Sequence, residues 1–368
     1  MKNYSIDMLD ARCAADVLDW EAIVDKSAFP DAYYRPGYVL ACREVTTQRI
    51  CALVISAAGF RVLLPLIVAE LCIAEGGRTS IHRHAYSPYG YGGMLPLDRL
   101  CLPTAEQIVA LREALQGWSR QNDVVCVVVR MHPIMGQELW FEQDDCDDAI
   151  LRLGNVTTAV DLESWNDPEQ CIASLKAERR RNLLSARRKL RVSWASGGSE
   201  NIRQSLQVFQ SLYNDCMRSL GAEQFYLFPD DYYQDLARGL GQRLGVGLAF
   251  RGDDPAAGSL FMADASCAHY HLSASNDEGR KTNATTLLIN AGALWARGRG
   301  CTKLHLGGGL KGEDSLFRFK HSFGGSLFRY ATLTVVADRT AFASLCDKPS
   351  APWPYALHRR ATVDSVNA

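Results

Sequence analysis

The segment "DSLFRFKHSFGG" at residues 314–325 places a single lysine, Lys320, between aromatic side chains. Glycine-containing turns lie on both sides of it, and the first of these, "LGGG", follows an apolar strand-like stretch. That turn matches neither the P-loop nor the dinucleotide-binding fingerprint, so it does not predict a standard nucleotide site. A lysine held in this way is positioned rather than free in solvent, and could stabilise a developing oxyanion or a phosphate. We therefore predict that Lys320 is catalytic.

A second candidate is the basic segment 176–191, "KAERRRNLLSARRKLR", which holds eight Lys or Arg against one Glu. Its apolar residues lie along one helical face, so the helix can pack and still present a positive surface. Like charges four residues apart weaken an isolated helix, and an anionic partner would relieve that repulsion. Arginine binds phosphate oxygens in pairs, which favours the phosphates of a nucleotide-linked substrate or of an RNA end. The alternative is a solvated charged face without a ligand.

The third candidate is the strand-like motif "HYHLSASN", residues 269–276. Strand alternation predicts His269 and His271 on one face with Ser273 and Ser275, and Tyr270 on the other. A His-x-His pair can bind zinc, but no third ligand follows nearby and the twelve cysteines form no C-x2-C pair. We expect no metal here, and histidines that are hydrogen-bonded inside a sheet. The sequence also lacks the Gly-x-Ser-x-Gly elbow of a serine nucleophile.

Composition limits the classes of protein to consider. A chain of 368 residues with 47% hydrophobic side chains predicts two domains. A formal net charge of −1 argues against a general nucleic-acid or membrane binder and leaves only local basic patches. No apolar run approaches the ~18 residues of a membrane span, and isolated cysteines in apolar surroundings fit a reducing compartment. We expect a soluble, cytoplasmic protein.

Each half of the chain contains a pair of apolar strands, a helix and a further apolar strand, in that order. This element order predicts an α/β protein (α+β in some schemes) with two tandem domains, each a mixed twisted sheet flanked by helices. A helix that begins at Pro168, after the N-cap residue Asp167, is predicted to run through the basic segment. The predicted boundaries are 1–155 for the N-terminal domain, 156–345 for the C-terminal domain and 346–368 for a tail.

Five motifs together resemble the Fem family of aminoacyl-tRNA-dependent aminoacyltransferases, part of the GNAT-like acyltransferase superfamily. They are "SPYGYGG", "ERRRNLLSARRK", "HYHLSASN", "TLLINAGALWARGRG", and "LHLGGG" followed by "DSLFRFKHSFGG", in the order found in the family. The resemblance covers most of residues 28–336. Members of this family add amino acids to peptidoglycan precursors or, in some antibiotic pathways, to peptide intermediates. The resemblance implies two tandem GNAT-like domains and the formation of an amide bond.

The resemblance also implies roles for individual residues. Lys320 in "FRFK" matches the family lysine that is assigned to the transition state or to the tRNA end. Arg180 or Arg181, together with Asn182, matches the segment in which an arginine contacts the phosphates of the acceptor. The tyrosines of "YYRPGY" fall where the first domain contributes to the acceptor cleft. On this basis we predict substrate contacts from Tyr34, Tyr38, Arg180, Arg181, Asn182, Tyr270, His271, Ser273, Asn276 and Phe319.

The donor that the resemblance implies is aminoacyl-tRNA, used as a co-substrate without a bound cofactor, and the acceptor is an anionic or peptide-like small molecule. The main alternative is an acyl-CoA-dependent N-acyltransferase acting on an amino sugar or a small amine. Such enzymes bind pyrophosphate with a [QR]-x-x-G-x-[GA] loop at the N-terminus of the crossover helix. This chain has "DEGRKTNATTLL" there, without that glycine pattern, which favours aminoacyl-tRNA. A third alternative is a non-catalytic module that binds RNA or a nucleotide sugar.

Overall fold

The structure, a computed structural model, describes residues 3–44, 47–75, 78–142, 146–163, 167–222, 226–310 and 312–347. The strands are β1 Tyr4–Asp10, β2 Arg49–Ala57, β3 Phe60–Glu75, β4 Arg78–Tyr86, β5 Leu95–Pro96, β6 Val124–Arg130, β7 Ala149–Asp161, β8 Arg191–Ser196, β9 Leu244–Arg251, β10 Asp254–Ala263, β11 Cys267–Ser275, β12 Lys303–Gly308 and β13 Ser326–Val336. The helices are α1 Ala14–Lys26, α2 Pro36–Ala41, α3 Ala105–Gln121, α4 Pro168–Ser174, α5 Ala177–Lys189, α6 Ile202–Ser219, α7 Asp230–Leu240, α8 Asp277–Lys281, α9 Ala284–Gly298, α10 Ser315–His321 and α11 Arg339–Cys346. Short 3-10 helices cover Ala32–Tyr34, Gln137–Leu139 and Gly241–Arg243. The α/β class and its mixed sheets flanked by helices are as predicted.

The chain forms two compact units that interleave in sequence. Unit 1 contains the described residues within 1–17, 45–153 and 331–368, and unit 2 contains those within 18–44 and 154–330. The division at 153/154 lies close to the predicted domain boundary at 155/156. The predicted domains were continuous stretches, however, whereas 18–44 pack within unit 2 and the end of β13 pairs with β6 in unit 1. The predicted tail 346–368 begins at the last residue of α11, and its residues 348–368 lie outside the described residues.

The core of unit 1 forms between its sheet and helix α3. Strands β1 to β4 form an antiparallel meander, β6 lies parallel to β4, and the end of β13 is antiparallel to β6. Helix α3 begins with a capping box between Thr104 and Gln107, as the Thr-Ala-Glu-Gln sequence predicts. It packs Leu111, Leu115 and Trp118 against the buried aliphatic side chains of the strands.

Unit 2 has the strand order β7-β12-β11-β10-β9-β8, and within it only β11 and β12 pair in parallel. Helix α9 is the crossover between those two strands and shares a core with α5 on one face of the sheet. Helix α6 packs on the other face, where its Phe209 lies against Gly258. The single helix predicted from Pro168 is two helices, because the chain is extended at Leu175 and Lys176. The break turns Leu175 into the core.

Within unit 2, α2 and α7 touch through their backbones at Gly37 and Gly239. A Cβ placed on Gly37 would lie 2.4 Å from the Cα and from the carbonyl oxygen of Gly239. We therefore expect Gly37→Ala to lower the free energy of opening of α2 and α7, measured by hydrogen exchange, by about 1–3 kcal/mol, because backbone atoms cannot yield as a flexible side chain can. The matched control is Gly298→Ala in α9, where an added Cβ meets no atom within 4 Å. Equal destabilisation by both substitutions would contradict this account of the helix contact.

The sequence predicts no membrane span and reduced, isolated cysteines. None of their helices combines the length and the apolar character that a bilayer crossing requires. All twelve cysteines are free thiols, six of them buried at positions 51, 126, 171, 267, 301 and 346.

Candidate active site

Lys320 lies on α10, which folds back against the end of β12. The helix is capped by Asp314, whose carboxylate accepts hydrogen bonds from the backbone N–H of Phe317 at 2.9 Å and of Leu310 at 2.8 Å. From this helix the Lys320 ammonium donates to the carbonyl oxygen of Gly308 at 2.8 Å. The predicted restraint of Lys320 is therefore real, but a capped seven-residue helix provides it rather than glycine turns alone.

Lys320 faces a gap in the sheet of unit 2. Strands β11 and β12 pair over only three residues each, Cys267–His269 with Lys303–His305. Both strands continue beyond this point, and the described residues show no further pairing between them. The Lys320 Nζ lies 6.0 Å from the centroid of the Tyr270 ring, which is the next residue of β11. We call the space bounded by Tyr270, Gly308 and Lys320 the β11–β12 gap.

A β-bulge in β11 determines which of its side chains face this gap. Leu260 of β10 is opposite Leu272, but the next residue of β10 is opposite Tyr270, so His271 is an extra residue. The bulge resets the alternation of the strand. Ser273 consequently lies on the same side as Tyr270, where its hydroxyl is 2.9 Å from that of Ser259. The predicted grouping of Ser273 with the two histidines is therefore wrong, because that prediction assumed an unbroken strand.

Burial changes the acid–base properties of the gap residues. Loss of solvation lowers the pKa of Lys320 to about 8, although the nearby Asp314 carboxylate opposes the shift. Burial raises the pKa of Tyr270 to about 12, while hydrogen bonding from Ser273 and Ser259 acts in the opposite direction. At neutral pH the gap therefore contains a mostly protonated ammonium and a neutral phenol. Both can donate a hydrogen bond to a developing oxyanion.

A second cation, Arg179, lies beside this site and was not among the predicted residues. Its guanidinium carbon is 4.8 Å from the ring centroid of Phe319 and 5.1 Å from that of Phe323. Its Nη1 donates to the hydroxyl of Thr286, in the first turn of α9, at 3.1 Å. Burial lowers the pKa of Arg179. The sequence did contain a signal, because Arg179 precedes the buried Leu183 by four residues and so shares its helical face.

The predicted phosphate contacts on α5 lie elsewhere on the helix. Arg180 and Arg181 are exposed, and Asn182 is half-buried without a described role in the gap. The predicted Phe319 is half-buried next to Lys320 and carries the Arg179 guanidinium on its ring. The structure thus brings Phe319, but neither of the two predicted arginines, next to Lys320.

The predicted tyrosines 34 and 38 lie with His269 and the half-buried His271 in a separate group, on the side of β11 opposite Tyr270. Tyr34 and Tyr38 are fully buried. His271 Nε2 lies 2.6 Å from the hydroxyl of Tyr232, and burial followed by the neighbouring His269 lowers the pKa of His271 to about 3. A neutral His271 hydrogen-bonded to a phenol agrees with the expected role of histidines inside a sheet.

The described residues contain one group with metal-binding side chains. Ligand atoms of Asp31, Cys267 and His269 lie within 4.8 Å of one another. His269 Nε2 is 2.6 Å from the Asp31 carboxylate, which also accepts a hydrogen bond from the N–H of Tyr33. These hydrogen bonds account for Asp31 without an ion, and the absence of a metal stays a prediction.

Asn276 has a structural role at the start of α8. Its side-chain oxygen accepts from the N–H of Gly279 at 2.9 Å, and its amide nitrogen donates to the carbonyl of Pro255 at 3.0 Å. A Cβ on Gly279 would lie 2.1 Å from the carbonyl oxygen of Ala256, so this segment is pressed against β10. Both the oxygen and the nitrogen of the Asn276 side-chain amide are therefore hydrogen-bonded to the backbone.

Comparison with known proteins identifies the domain type. Residues 174–321 match the family described as "Acetyltransferase (GNAT) domain". No curated protein matches the chain. The matched range includes α5, β11, the crossover helix α9 and Lys320, so it contains both sides of the β11–β12 gap.

Solved structures resemble the chain over nearly its whole length. The crystal structure of FemX superposes with a TM-score of 0.64 at 12% identity, covering 89% of this chain and 98% of FemX. The C-terminal domain of a putative lysylphosphatidylglycerol synthetase from Agrobacterium fabrum gives a TM-score of 0.54 at 13% identity, covering 90% of this chain and 94% of that domain. L-PGS from Bacillus licheniformis gives a TM-score of 0.54 at 12% identity, covering 89% and 94%.

These identities establish the fold and not the substrates. The predicted resemblance to the Fem-like proteins of the GNAT superfamily is confirmed at the level of the fold. The chain has the fold of FemX, and its residues 174–321 match the acetyltransferase (GNAT) domain family.

Proposed function

We propose that this acyltransferase moves an aminoacyl group from aminoacyl-tRNA to an amine of a peptide-like or peptidoglycan-precursor-like acceptor. The observation that carries the proposal is the placement of Lys320, a desolvated ammonium fixed 2.8 Å from the carbonyl oxygen of Gly308 at the edge of the β11–β12 gap. An aminoacyl ester is already activated. A site that positions it and stabilises its oxyanion can therefore suffice without a protein nucleophile.

In the proposed reaction the acceptor nitrogen attacks the ester carbonyl carbon, and the carbonyl oxygen takes up negative charge. The Lys320 ammonium is placed to stabilise that oxyanion. The bond between the carbonyl carbon and the ribose oxygen then breaks, an amide forms, and the proton lost by the amine ends on the ribose hydroxyl. The bonds formed and broken and the proton transferred are balanced in this step without an oxidant, a metal or a second activated reactant.

The backbone of α8, the short helix that precedes the crossover helix α9, supports an ester of RNA over acyl-CoA as donor. A coenzyme A pyrophosphate would need free N–H groups in this segment. Here the N–H of Gly279 donates to the Asn276 side chain, and those of Arg280, Thr282 and Asn283 donate to carbonyls of residues 276–280. Acidic residues also occupy the first turn of α8, where they would repel a pyrophosphate.

The second candidate is an acyl-CoA-dependent N-acyltransferase acting on an amino sugar or a small amine. The description of the matched family, an acetyltransferase domain, favours this alternative. It differs from the first in the donor and in the acceptor, but Lys320 would stabilise the same kind of oxyanion, here formed from a thioester.

One experiment separates the two donors. The purified protein is incubated with a mixture of amine acceptors and either a charged tRNA pool or acetyl-CoA, and new amides are detected by mass spectrometry. We expect product from charged tRNA, and we expect its formation to stop when the tRNA is first digested with ribonuclease. Product from acetyl-CoA that ribonuclease does not affect would contradict the proposed donor and support the second candidate.

A further inference from the structure

The exposed side of α5 carries a stripe of positive charge that the proposed reaction does not use. Arg181 and Arg188 are seven residues apart, so they lie at the centre of this side, and Arg180 flanks them. All three are exposed, and no carboxylate of the described residues forms an ion pair with them. We call these three residues the α5 stripe.

Arg187 near the end of α5 and Arg191 at the start of β8 differ from the stripe because the fold engages them. Arg187 donates to the side chain of Asn290 at 3.1 Å, and Arg191 stacks on the ring of Phe250 at 4.7 Å. The stripe is therefore not a by-product of packing. The whole chain has a net charge of −1, so this concentration of unneutralised arginine is local.

Helix α5 connects the stripe with the candidate active site. Its first turn directs Arg179 inward to Phe319, the neighbour of Lys320, while the next two arginines point to solvent. A polyanion whose reactive end reaches Lys320 can consequently extend along the outside of α5. From Arg181 to Arg188 the helix rises about 10 Å, a length that spans more than one phosphate of a nucleic-acid strand.

We propose that the α5 stripe binds the phosphodiester backbone of the donor RNA next to its acylated end. This inference rests on the proposed function, because it takes the donor to be an aminoacylated RNA. Arginine forks suit phosphate oxygens, and exposed, unpaired arginines can release counterions from RNA when they bind. An anionic lipid surface fits the stripe less well, since the apolar side of α5 is buried and only Leu184, 40% exposed, could enter a bilayer.

The test uses two double variants of the full-length protein. Arg181→Gln/Arg188→Gln removes two charges of the stripe with a residue of similar helix propensity. The control, Arg203→Gln/Arg238→Gln, removes two exposed charges from α6 and α7. Binding of an uncharged tRNA pool is measured between 50 and 200 mM salt. For the stripe variant we expect at least about tenfold weaker binding, and a slope of log affinity against log salt that is smaller by about 2. We expect neither change for the control.

A kinetic comparison separates this inference from the proposed function. Transfer is measured from aminoacyl-tRNA and from an aminoacylated trinucleotide, which lacks the backbone that the stripe would bind. We expect the stripe variant to raise KM at least about tenfold for the full tRNA, with no change for the trinucleotide. If the wild-type protein uses both donors and the stripe variant has the same KM values as the control variant, the inference about the stripe is overturned. The proposed function would then still stand.

Two other outcomes would also overturn the inference. A wild-type protein that transfers from neither donor contradicts the proposed function, and the inference with it. Binding to phosphatidylglycerol vesicles that the stripe variant loses, with tRNA binding unchanged, would assign the stripe to a lipid surface.

Discussion

Lys320→Ala is expected to lower the turnover number at least about tenfold while the protein stays folded. The loss follows from the placement of Lys320, because removing one preorganised donor to an oxyanion typically slows acyl transfer by about two orders of magnitude. The measurement is kcat for amide formation, with circular dichroism as the check on folding. Lys320→Arg is the matched variant that keeps a positive charge. Turnover of Lys320→Ala at the wild-type rate would remove Lys320 from the mechanism.

The same lysine predicts a limb of the pH–rate profile. The pKa of Lys320 is lowered to about 8, so the ammonium fraction falls as the pH rises through that value. The rate should therefore decline above about pH 8, even though the acceptor amine becomes a better nucleophile. In Lys320→Arg the guanidinium stays charged, and this declining limb should move to higher pH. A wild-type profile that only rises between pH 7 and 10 would mean that the neutral amine is the active form.

Lys320 also links activity to stability. Its pKa is about 8 in the folded protein against a reference value of 10.5, so the folded state disfavours the charged form. This destabilisation is fully present below pH 8 and is relieved as the pH rises from 8 towards 10.5. Lys320→Met should therefore stabilise the protein at pH 7 by about 1–2 kcal/mol, less than the shift implies because the lysine is partly exposed and also bonds to Gly308. A stabilised but inactive variant would be typical of a functional residue rather than a structural one.

Arg35→Met is expected to destabilise unit 2 by about 3–4 kcal/mol. Arg35 is 1% exposed and forms ion pairs at 2.7 Å with Glu21, Asp25 and Asp264. Burial alone lowers the pKa of Arg35, but these carboxylates more than offset it and the pKa is raised. Removing the guanidinium leaves the carboxylate of Asp264, itself 7% exposed, with an ion pair to Arg243 at 3.3 Å and a hydrogen bond from the N–H of Ala265 at 2.9 Å, and it loses the buried Arg35 charge.

Hydrogen exchange is the appropriate measurement for Arg35→Met, because a protein of two units need not unfold in a single step. For the amides of residues 18–41, the free energy of opening that hydrogen exchange measures should fall by about 3–4 kcal/mol. The control is Arg12→Met, since Arg12 is 76% exposed and solvent screens its ion pair with Asp10, so its removal should leave protection nearly unchanged. Equal effects of the two substitutions would show that the buried ion pairs do not hold this segment in unit 2.

Sequence reasoning predicted the restraint on Lys320 and the general fold because both depend on local patterns. An apolar strand, a glycine turn and a capped helix are adjacent in the chain, so the restraint on Lys320 can be deduced from neighbouring residues. The same reasoning missed Arg179, although it lies on the apolar side of α5, because the choice among three consecutive arginines depends on the position of Phe319, 140 residues away.

Other errors have a similar origin. The face of Ser273 depends on one extra residue in β11, a bulge that appears only when the strand pairs with β10. Residues 18–44 belong to unit 2 through long-range contacts, among them the ion pair between Arg35 and Asp264, two residues 229 positions apart. Long-range pairing of this kind leaves no periodic signal in the sequence, so neither feature could be predicted from it.

In the proposed reaction, the reacting end of the donor lies in the β11–β12 gap, facing Lys320. The most direct test is photo-crosslinking with a non-hydrolysable aminoacyl-tRNA in which an amide replaces the ester and the aminoacyl group carries a diazirine. The crosslinked peptides are then identified by mass spectrometry. We expect crosslinks within β11, β12 or α10, at residues 267–275, 303–308 or 315–321, because these elements carry Tyr270, Gly308 and Lys320. Crosslinks found exclusively in unit 1, at an efficiency unaffected by Lys320→Ala, would contradict it.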